Sequence, residues 1–296
     1  MIHFSVIVPT YNRFSKLQGI LTSLTEQTFP TDQFEVLVVN DGSSDAEYAQ
    51  FHDLKKQYPS LQLQLFEQQN SGAATARNVG VNAASGEFVL FIGDDTYAHP
   101  DLLREHYRFH EIHPNNCVLG FVDWYPKLEL NEIMKFIAPY GLQFDFRIKN
   151  PLDCGYRRFY TSNISVQRSL LESDPFLRDF PGCNWEDIEL GYRLHRSGIK
   201  IVYNPQAVVY HDHQYQLEQF LQRQERSGEN KTIFLKLHPE LRTLWSNHIF
   251  LRLMLLKCTL QIVIGSLCHL NRIRLRGLCL KAYIVAFLKT DTKSAN

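Results

Sequence analysis

The sequence predicts an α/β protein built on a mostly parallel, doubly wound sheet, followed by a helical C-terminal extension. Three observations carry that prediction. Near-continuous apolar runs alternate with segments of helical apolar spacing, each early run breaks off at a polar loop, and the spacing becomes wholly helical beyond about residue 215. At 296 residues with 44% hydrophobic content, the chain can bury a substantial core.

The first apolar run, Phe4 to Val8, is expected to end at Pro9. Pro9-Thr10-Tyr11-Asn12-Arg13 then forms a polar loop before a helix whose apolar face is Leu17, Ile20, Leu21 and Leu24. The second run, Glu35 to Val39, is almost entirely apolar, as a strand covered on both faces requires, and stops at Asn40-Asp41-Gly42-Ser43-Ser44-Asp45. A third, Leu61 to Phe66, leads through Asn70-Ser71-Gly72 to a small-residue helix over Ala73 to Ala84, closed by Ser85-Gly86. Phe88 to Ile92 is the fourth and runs into Gly93-Asp94-Asp95-Thr96. Ligands of such sheets sit beyond the carboxyl ends of the strands, where Asp41, Gly72 and Asp94 fall. The adjacent carboxylates repel each other, which points to a cation such as Mg²⁺ or Mn²⁺. A solvated turn, with one Asp capping the next helix, fits these two residues equally well.

A helix over Asp101 to Ile112 and a strand over Cys117 to Val122 follow. The aromatic-rich stretch from Trp124 to Tyr160 has a length that suits an acceptor-binding region. Thr161 to Val166 reads as a returning strand. Trp185 to Leu194 is expected to be a short helix, with Asn184 as N-cap and Gly198 at C′. Glu186 and Asp187 in its first turn would interact favourably with the helix dipole whether or not they did chemistry. Lys200 to Tyr203 forms a strand, and a further apolar run, Val208 to Tyr210, ends in His211-Asp212-His213.

Several function classes are set aside by what is missing or balanced. No G-x-G-x-x-G turn follows the first strand and no G-x-x-x-x-G-K-[ST] occurs, so neither a dinucleotide fingerprint nor a P-loop explains the crevice. Lys plus Arg, at 31, equals Asp plus Glu, at 31, which gives no case for nucleic acid. The six cysteines, Cys117, Cys154, Cys183, Cys258, Cys268 and Cys279, show no C-x-x-C pair and suit free thiols in a reducing compartment. Met1 leads directly into the first strand without the features of a signal peptide, so a cytoplasmic location is expected.

Gln214 to Leu237 carries helical spacing in Leu217, Phe220 and Leu221, with Arg223, Arg226 and Lys231, and is read as a packing helix in preference to a lid. Ile249 to Leu270 is largely apolar, but Arg252, Lys257 and Gln261 interrupt it and disfavour a spanning helix. Arg272, Arg274, Arg276, Lys281 and Lys289 follow among apolar residues. This basic amphipathic pattern fits peripheral contact with the cytoplasmic face of a membrane, or a helical hairpin packed on protein.

Taken together, Ser5 to Arg13, Val38 to Asp45, Asn70-Ser71-Gly72 through Ala76-Arg77-Asn78, the Asp94-Asp95 pair and Trp185-Glu186-Asp187 closely resemble family 2 glycosyltransferases. The resemblance implies the GT-A fold, a Rossmann-like sheet, with residues 1–215 as the catalytic domain and 216–296 as the basic helical region. It implies an inverting hexosyl- or N-acetylhexosaminyl-transferase. The donor would be a nucleotide-sugar, most often a UDP-sugar, the cofactor Mn²⁺ or Mg²⁺, and the acceptor a hydroxyl of a glycan or lipid-linked glycan. On matching positions, Pro9, Tyr11 and Asp41 would hold uracil and ribose, and Arg77 would lie near the diphosphate. Asp94 would sit near the ribose or metal, with Asp95 a direct metal ligand, although Gly93 stands where a third acid is often found. Asp187 would be the general base, Glu186 would support it, and His211 would add a metal ligand, with His213 as runner-up. A sugar nucleotidyltransferase is a competing reading that expects a glycine-rich loop where Pro9 to Arg13 stands. A catalytically inactive nucleotide-sugar-binding or scaffold protein is another, against which the presence of Asp94, Asp95, Glu186, Asp187 and His211 counts.

Overall fold

The computed structural model describes residues 1–181, 184–242 and 248–293, so Cys183 lies outside the described residues. The chain forms two compact units. The first comprises Met1–Leu128, Phe144–Arg178 and Glu186–His213, and the second Glu129–Gln143, Asp179–Trp185 and the chain from Gln214 onward.

In the first unit, β1 (Phe4–Thr10), α1 (Phe14–Thr25), β2 (Phe34–Asn40), the short α2 (Leu54–Gln57), β3 (Gln62–Glu67), α3 (Ala73–Ala83) and β4 (Phe88–Ile92) repeat strand and helix. β5 (Thr96–Ala98), α4 (Leu102–Ile112) and β6 (Cys117–Trp124) follow. α5 (Glu132–Ile137) belongs to the second unit, and β7 (Asn163–Gln167), α6 (Glu186–Arg196) and β8 (Ile201–His211) return to the first. Among the described residues the strands form one eight-stranded sheet in the order β3-β2-β1-β4-β7-β6-β8-β5. β3, β2, β1 and β4 are parallel, β7 runs antiparallel to β4 and β6, β8 runs parallel to β6, and β5 is antiparallel to β8. Strand order reverses between β1 and β4, so a crevice is expected beyond the carboxyl ends of these two strands. β2 and β4 are buried at every position, whereas β3, at the edge, alternates between exposed and covered residues.

Two prolines fall inside strands where breaks were expected. β1 continues through Pro9 to Thr10, because its ladder to β4 ends at Ile7 and β2 alone pairs with the last residues. On that unpaired side a missing N–H costs nothing. The two short runs expected around Pro205 are one strand, β8. Its pairing with β6 shifts between Gly120 and Phe121, from Asn204 to Val208, so Pro205 sits on a bulge.

The helices bury the faces their spacing implies: α1 covers the sheet with Phe14, Leu17, Ile20, Leu21 and Leu24. α4 is less expected, since its buried face contains His106 and His110 beside Leu102 and Leu103. α6 begins at Glu186, and the residue before it is Trp185, whose φ of 77° lies in the left-handed region. Asn184, expected as the cap, lies one residue further out, and its carbonyl accepts from Asn230 Nδ2 at 2.9 Å. At the other end Gly198, at φ 85°, closes a Schellman motif, with Gly198 N–H donating to His195 O and Ile199 N–H to Leu194 O, both at 3.0 Å.

In the second unit, α7 (Leu217–Leu237), α8 (His248–Leu267) and α9 (Asn271–Lys293) pack together. A Cβ on Gly228 of α7 would stand 2.1 Å from Tyr283 O of α9, so that crossing requires glycine. Cys117, Cys154, Cys258 and Cys279 are buried free thiols, and Cys268 is an exposed one.

Candidate active site

The carboxyl ends of β1 and β4 are joined by side chains. Thr10 Oγ1 donates to Asp94 Oδ2 at 2.9 Å and stands 2.5 Å from the Tyr48 hydroxyl. Arg13, just past the loop after β1, donates from Nη1 to Asp95 Oδ2 at 2.8 Å and to Asp94 Oδ1 at 3.3 Å. Burial, and then the Asp95 charge, push the Asp94 carboxyl up to about 6, against the pull of Arg13 and Thr10. Burial alone would raise Asp95 as well, but His211, His213 and Arg13 hold it well below the usual carboxylate range.

The histidines reach Asp95 because β5 pairs with the end of β8 and sets Thr96 opposite His211. His211 Nε2 lies 3.4 Å from Asp95 Oδ1, and His213 Nδ1 lies 3.4 Å from Asp95 Oδ2. Trp124 and Phe144 flank the His211 ring, with centroids at 5.6 and 6.0 Å. Asp212, between the histidines, points away to pair with Lys16, while its N–H donates to Asp95 O at 2.7 Å. Among the described residues no trio of His, Cys, Asp or Glu already stands at metal-ligand positions. The donor types nevertheless fit a divalent cation: one ionised carboxylate, with an imidazole nitrogen beside each oxygen. Arg13, whose side chain is 42% exposed, holds the positive charge beside these acids and has solvent into which it can swing.

The loops after β1, β2 and β3 are tied together beside this cluster. Asn12, at φ 52°, accepts from Ser44 N–H at 2.8 Å, and its own N–H donates to Ser43 Oγ at 2.9 Å. The Asp41 carboxylate accepts from Ser71 N–H at 2.8 Å, Gly72 N–H at 2.9 Å and Gln68 Nε2 at 2.6 Å. Asp41 thus organises the loop leading into α3, and its N–H donates to Thr10 O at 2.9 Å. Tyr11 is 45% exposed at the rim, its ring open to a stacking partner.

α3 carries Arg77 towards α6, where Nη1 donates to Glu186 Oε1 at 3.0 Å and the guanidinium lies 5.5 Å from the centre of the Phe176 ring. Arg77 Nε is buried with no hydrogen-bond partner among the described residues, which leaves donor capacity for a ligand. Glu186 is buried, whereas Asp187 is half-buried and accepts from Ile188 N–H at 2.8 Å. Burial pushes the Tyr160 phenol up to about 12, with the charge of nearby Asp187 adding to the rise.

The predicted residues therefore fall into linked groups: Asp94, Asp95, His211 and His213 in one, Asp41 beside Pro9 and Tyr11 in another, and Arg77, Glu186 and Asp187 in a third. Sequence reasoning passed over Arg13, Tyr48 and Lys16. Arg13 lay inside a motif but its partners are set by topology, and Tyr48 and Lys16 carried no motif.

Comparison with known proteins bears on the family and the fold. The family description "Glycosyl transferase family 2" matches residues 5–173. Validoxylamine A glucosyltransferase of Streptomyces hygroscopicus is 30% identical over 226 residues, 66% of this chain and 52% of that one. The poly(ribitol-phosphate) beta-N-acetylglucosaminyltransferase TarS of Staphylococcus aureus is 37% identical over 119 residues, 40% of this chain and 21% of TarS. The chain thus spans between a fifth and about half of the length of these relatives. Among solved structures, the mannosyltransferase PcManGT of Pyrobaculum calidifontis with GDP-Man and Mn²⁺ aligns at a TM-score of 0.70 and 19% identity, covering 99% of this chain and 88% of that one. TarS of S. aureus with UDP-GlcNAc aligns at 0.57 and 19%, covering 99% and 92%. The neighbours share the GT-A fold. With more than half of its length matched, and the strand-end acids where that fold has its crevice, this chain belongs to glycosyl transferase family 2.

Proposed function

We propose that the protein is an inverting glycosyltransferase that moves a hexosyl or N-acetylhexosaminyl group from a UDP-sugar to a hydroxyl of a glycan or lipid-linked glycan. The observation that carries this reading is Asp95, an ionised carboxylate with His211 and His213 each 3.4 Å away at the crevice of a family 2 fold. UDP-GlcNAc bound to TarS supports the donor class, and Mn²⁺ beside GDP-Man in PcManGT supports a divalent cation.

Residues 1–215 would carry the catalysis. Pro9, Tyr11 and Asp41 would hold uracil and ribose, and Arg77 would donate to the diphosphate through its spare Nε–H. Asp95 and His211, with His213 as second candidate, would hold Mn²⁺ or Mg²⁺, and Asp94 would lie beside them near the ribose. When bound, the cation would offset charge on the leaving diphosphate. Asp187 would take the proton from the acceptor hydroxyl as it attacks the anomeric carbon, and Glu186, fixed by Arg77, would hold the start of α6 in place. A cytoplasmic enzyme in peripheral contact with a membrane through residues 216–296 belongs to the same reading.

Calorimetry of UDP with and without Mn²⁺, followed by hydrolysis assays over a panel of nucleotide-sugars, tests it. Mn²⁺-dependent binding with turnover of a UDP-sugar is expected. Binding without turnover of any donor would leave an inactive binding protein in its place.

A further inference from the structure

Between Glu240 and Asp291 the sequence contains no Asp or Glu, although the whole chain is charge-balanced. That acid-free stretch contains α8 and most of α9. On α8, Leu251, Cys258 and Gly265 recur at heptad spacing and are buried. They mark the face closed by α9: a Cβ on Gly265 would stand 2.6 Å from Arg274 N, and one on Gly277 of α9 would stand 2.7 Å from Cys258 O. The other side of α8 is open. Leu253, Leu256, Leu260, Val263 and Leu267 are exposed there, Leu256 by 68% and Leu267 by 76%. Arg252 and Lys257 on α8, with Arg272, Arg274 and Arg276 on the first turns of α9, are exposed as well. A contiguous apolar stripe of this kind marks an interaction surface.

We propose that the exposed face of α8, with this basic collar, docks on an anionic lipid bilayer and lies in the plane of its interface. Charge complementarity selects that occupant. A second copy of the chain would set the same bases against each other, with no carboxylate between residues 240 and 291 to pair with them. Phe250–Leu267, at a mean hydropathy of 1.6, is long and apolar enough to cross a membrane by length and composition alone. Crossing, however, would carry the bases of the packed α9 into hydrocarbon. Lying flat puts the leucines among acyl chains and the bases among phosphates. The proposal gives the membrane contact of the proposed function a surface and a lipid chemistry, and it does not depend on the catalytic assignment.

The test is flotation of the full chain with phosphatidylcholine vesicles and with vesicles that also contain phosphatidylglycerol. Donor hydrolysis, measured in parallel, reports on the transferase reading separately. The parent chain is expected to float with the anionic vesicles alone and to be released by salt, a measurement that needs no variant. Arg272→Glu/Arg274→Glu/Arg276→Glu should weaken partitioning roughly 100-fold or more. Leu256→Ser/Leu260→Ser, at positions with no core to lose, should weaken it while circular dichroism stays unchanged. Equal flotation on both kinds of vesicle, or undiminished flotation of either variant, would overturn the proposal. So would failure to float combined with a dimer that the leucine variant dissociates, which would assign the face to a second copy.

Discussion

Arg77 Nη1 donates to Glu186 Oε1 at 3.0 Å across 109 residues of sequence, with the two side chains 11% and 3% exposed. Both charges are largely out of water, so removing one leaves the other uncompensated. Glu186→Leu is expected to lower stability by about 3 to 5 kcal/mol. The double variant Arg77→Met/Glu186→Leu should recover most of that loss, because it removes both buried charges. Urea denaturation of the four members of the cycle measures the coupling, and a double-variant loss equal to the sum of the two single losses would show none.

Asp187 and Glu186 are neighbours in sequence with different surroundings, and this separates their expected roles. Glu186 is buried against Arg77, whereas Asp187 is half-buried, as the proposed base for an acceptor hydroxyl would need to be. Asp187→Asn should keep UDP affinity by calorimetry and lower the transfer rate by roughly 10² to 10⁴-fold. Transfer at the parental rate would remove Asp187 from the mechanism.

A cation at Asp95 would compete with Arg13 for the same carboxylate oxygen, which Arg13 now holds at 2.8 Å. Chelation is therefore expected to suppress both UDP binding and transfer, and Mn²⁺ to restore them. Asp95→Ala should abolish the restoration, whereas Arg13→Ala should leave it in place. Full activity of the parent in chelator would refute a metal-assisted step.

Much of the first unit could be read from the sequence because its central strands are buried on both faces and so appear as continuous apolar runs. Phe88 to Ile92 is found at the bounds expected for it. Errors arose where a local rule gave way to tertiary context. Pro9 ended a strand only on paper, since β4 had already stopped pairing on that side. Pro205 was absorbed by a bulge, and β5, three residues long, is too short to leave a pattern. The acids and histidines of the site were visible as residue types at strand ends. That Asp95 touches His211 depends on an antiparallel pairing between β5 and β8 that no spacing announces. His106 and His110 gave no signal, because a histidine on a helix face looks solvated until its neighbours are known.

Those two histidines predict acid sensitivity. His106 Nε2 and Nδ1 lie 2.9 Å from Asn163 Oδ1 and 2.8 Å from Ser165 Oγ, and His110 stacks on Phe88 with ring centroids 4.0 Å apart. Burial lowers His106 to about 4, and burial together with the His106 charge lowers His110 to about 3. In the unfolded chain both would titrate near 6.5. The unfolded state therefore binds more protons below that pH, and the stability present above about 6.5 is lost as pH falls towards 4 and then 3. Unfolding free energies from urea titrations at descending pH should fall through this window. His110→Gln should flatten the slope, and an unchanged slope would show that the acid sensitivity arises elsewhere.

The bulge that seats Pro205 makes a last prediction at Gly120. Asn163 Nδ2 donates to Ala207 O at 2.8 Å and to Phe121 O at 3.0 Å, which ties β7 to both strands at the point where their register shifts. Gly120 lies beneath this bridge. A Cβ there would stand 2.2 Å from Asn163 Nδ2 and 2.3 Å from Ala207 O. One of these neighbours is backbone in a paired strand and cannot yield cheaply. The other also accepts at Oδ1 from the His106 ring, so displacing it would leave buried polar groups unpaired as well. Gly120→Ala is therefore expected to cost about 1 to 3 kcal/mol or more in thermal or urea unfolding. The end of β8 positions His211 opposite Thr96, so loosening the bulge should also weaken Mn²⁺-dependent UDP binding. A variant as stable as the parent, with unchanged UDP affinity, would show that the bulge does not fix the histidine end of the site.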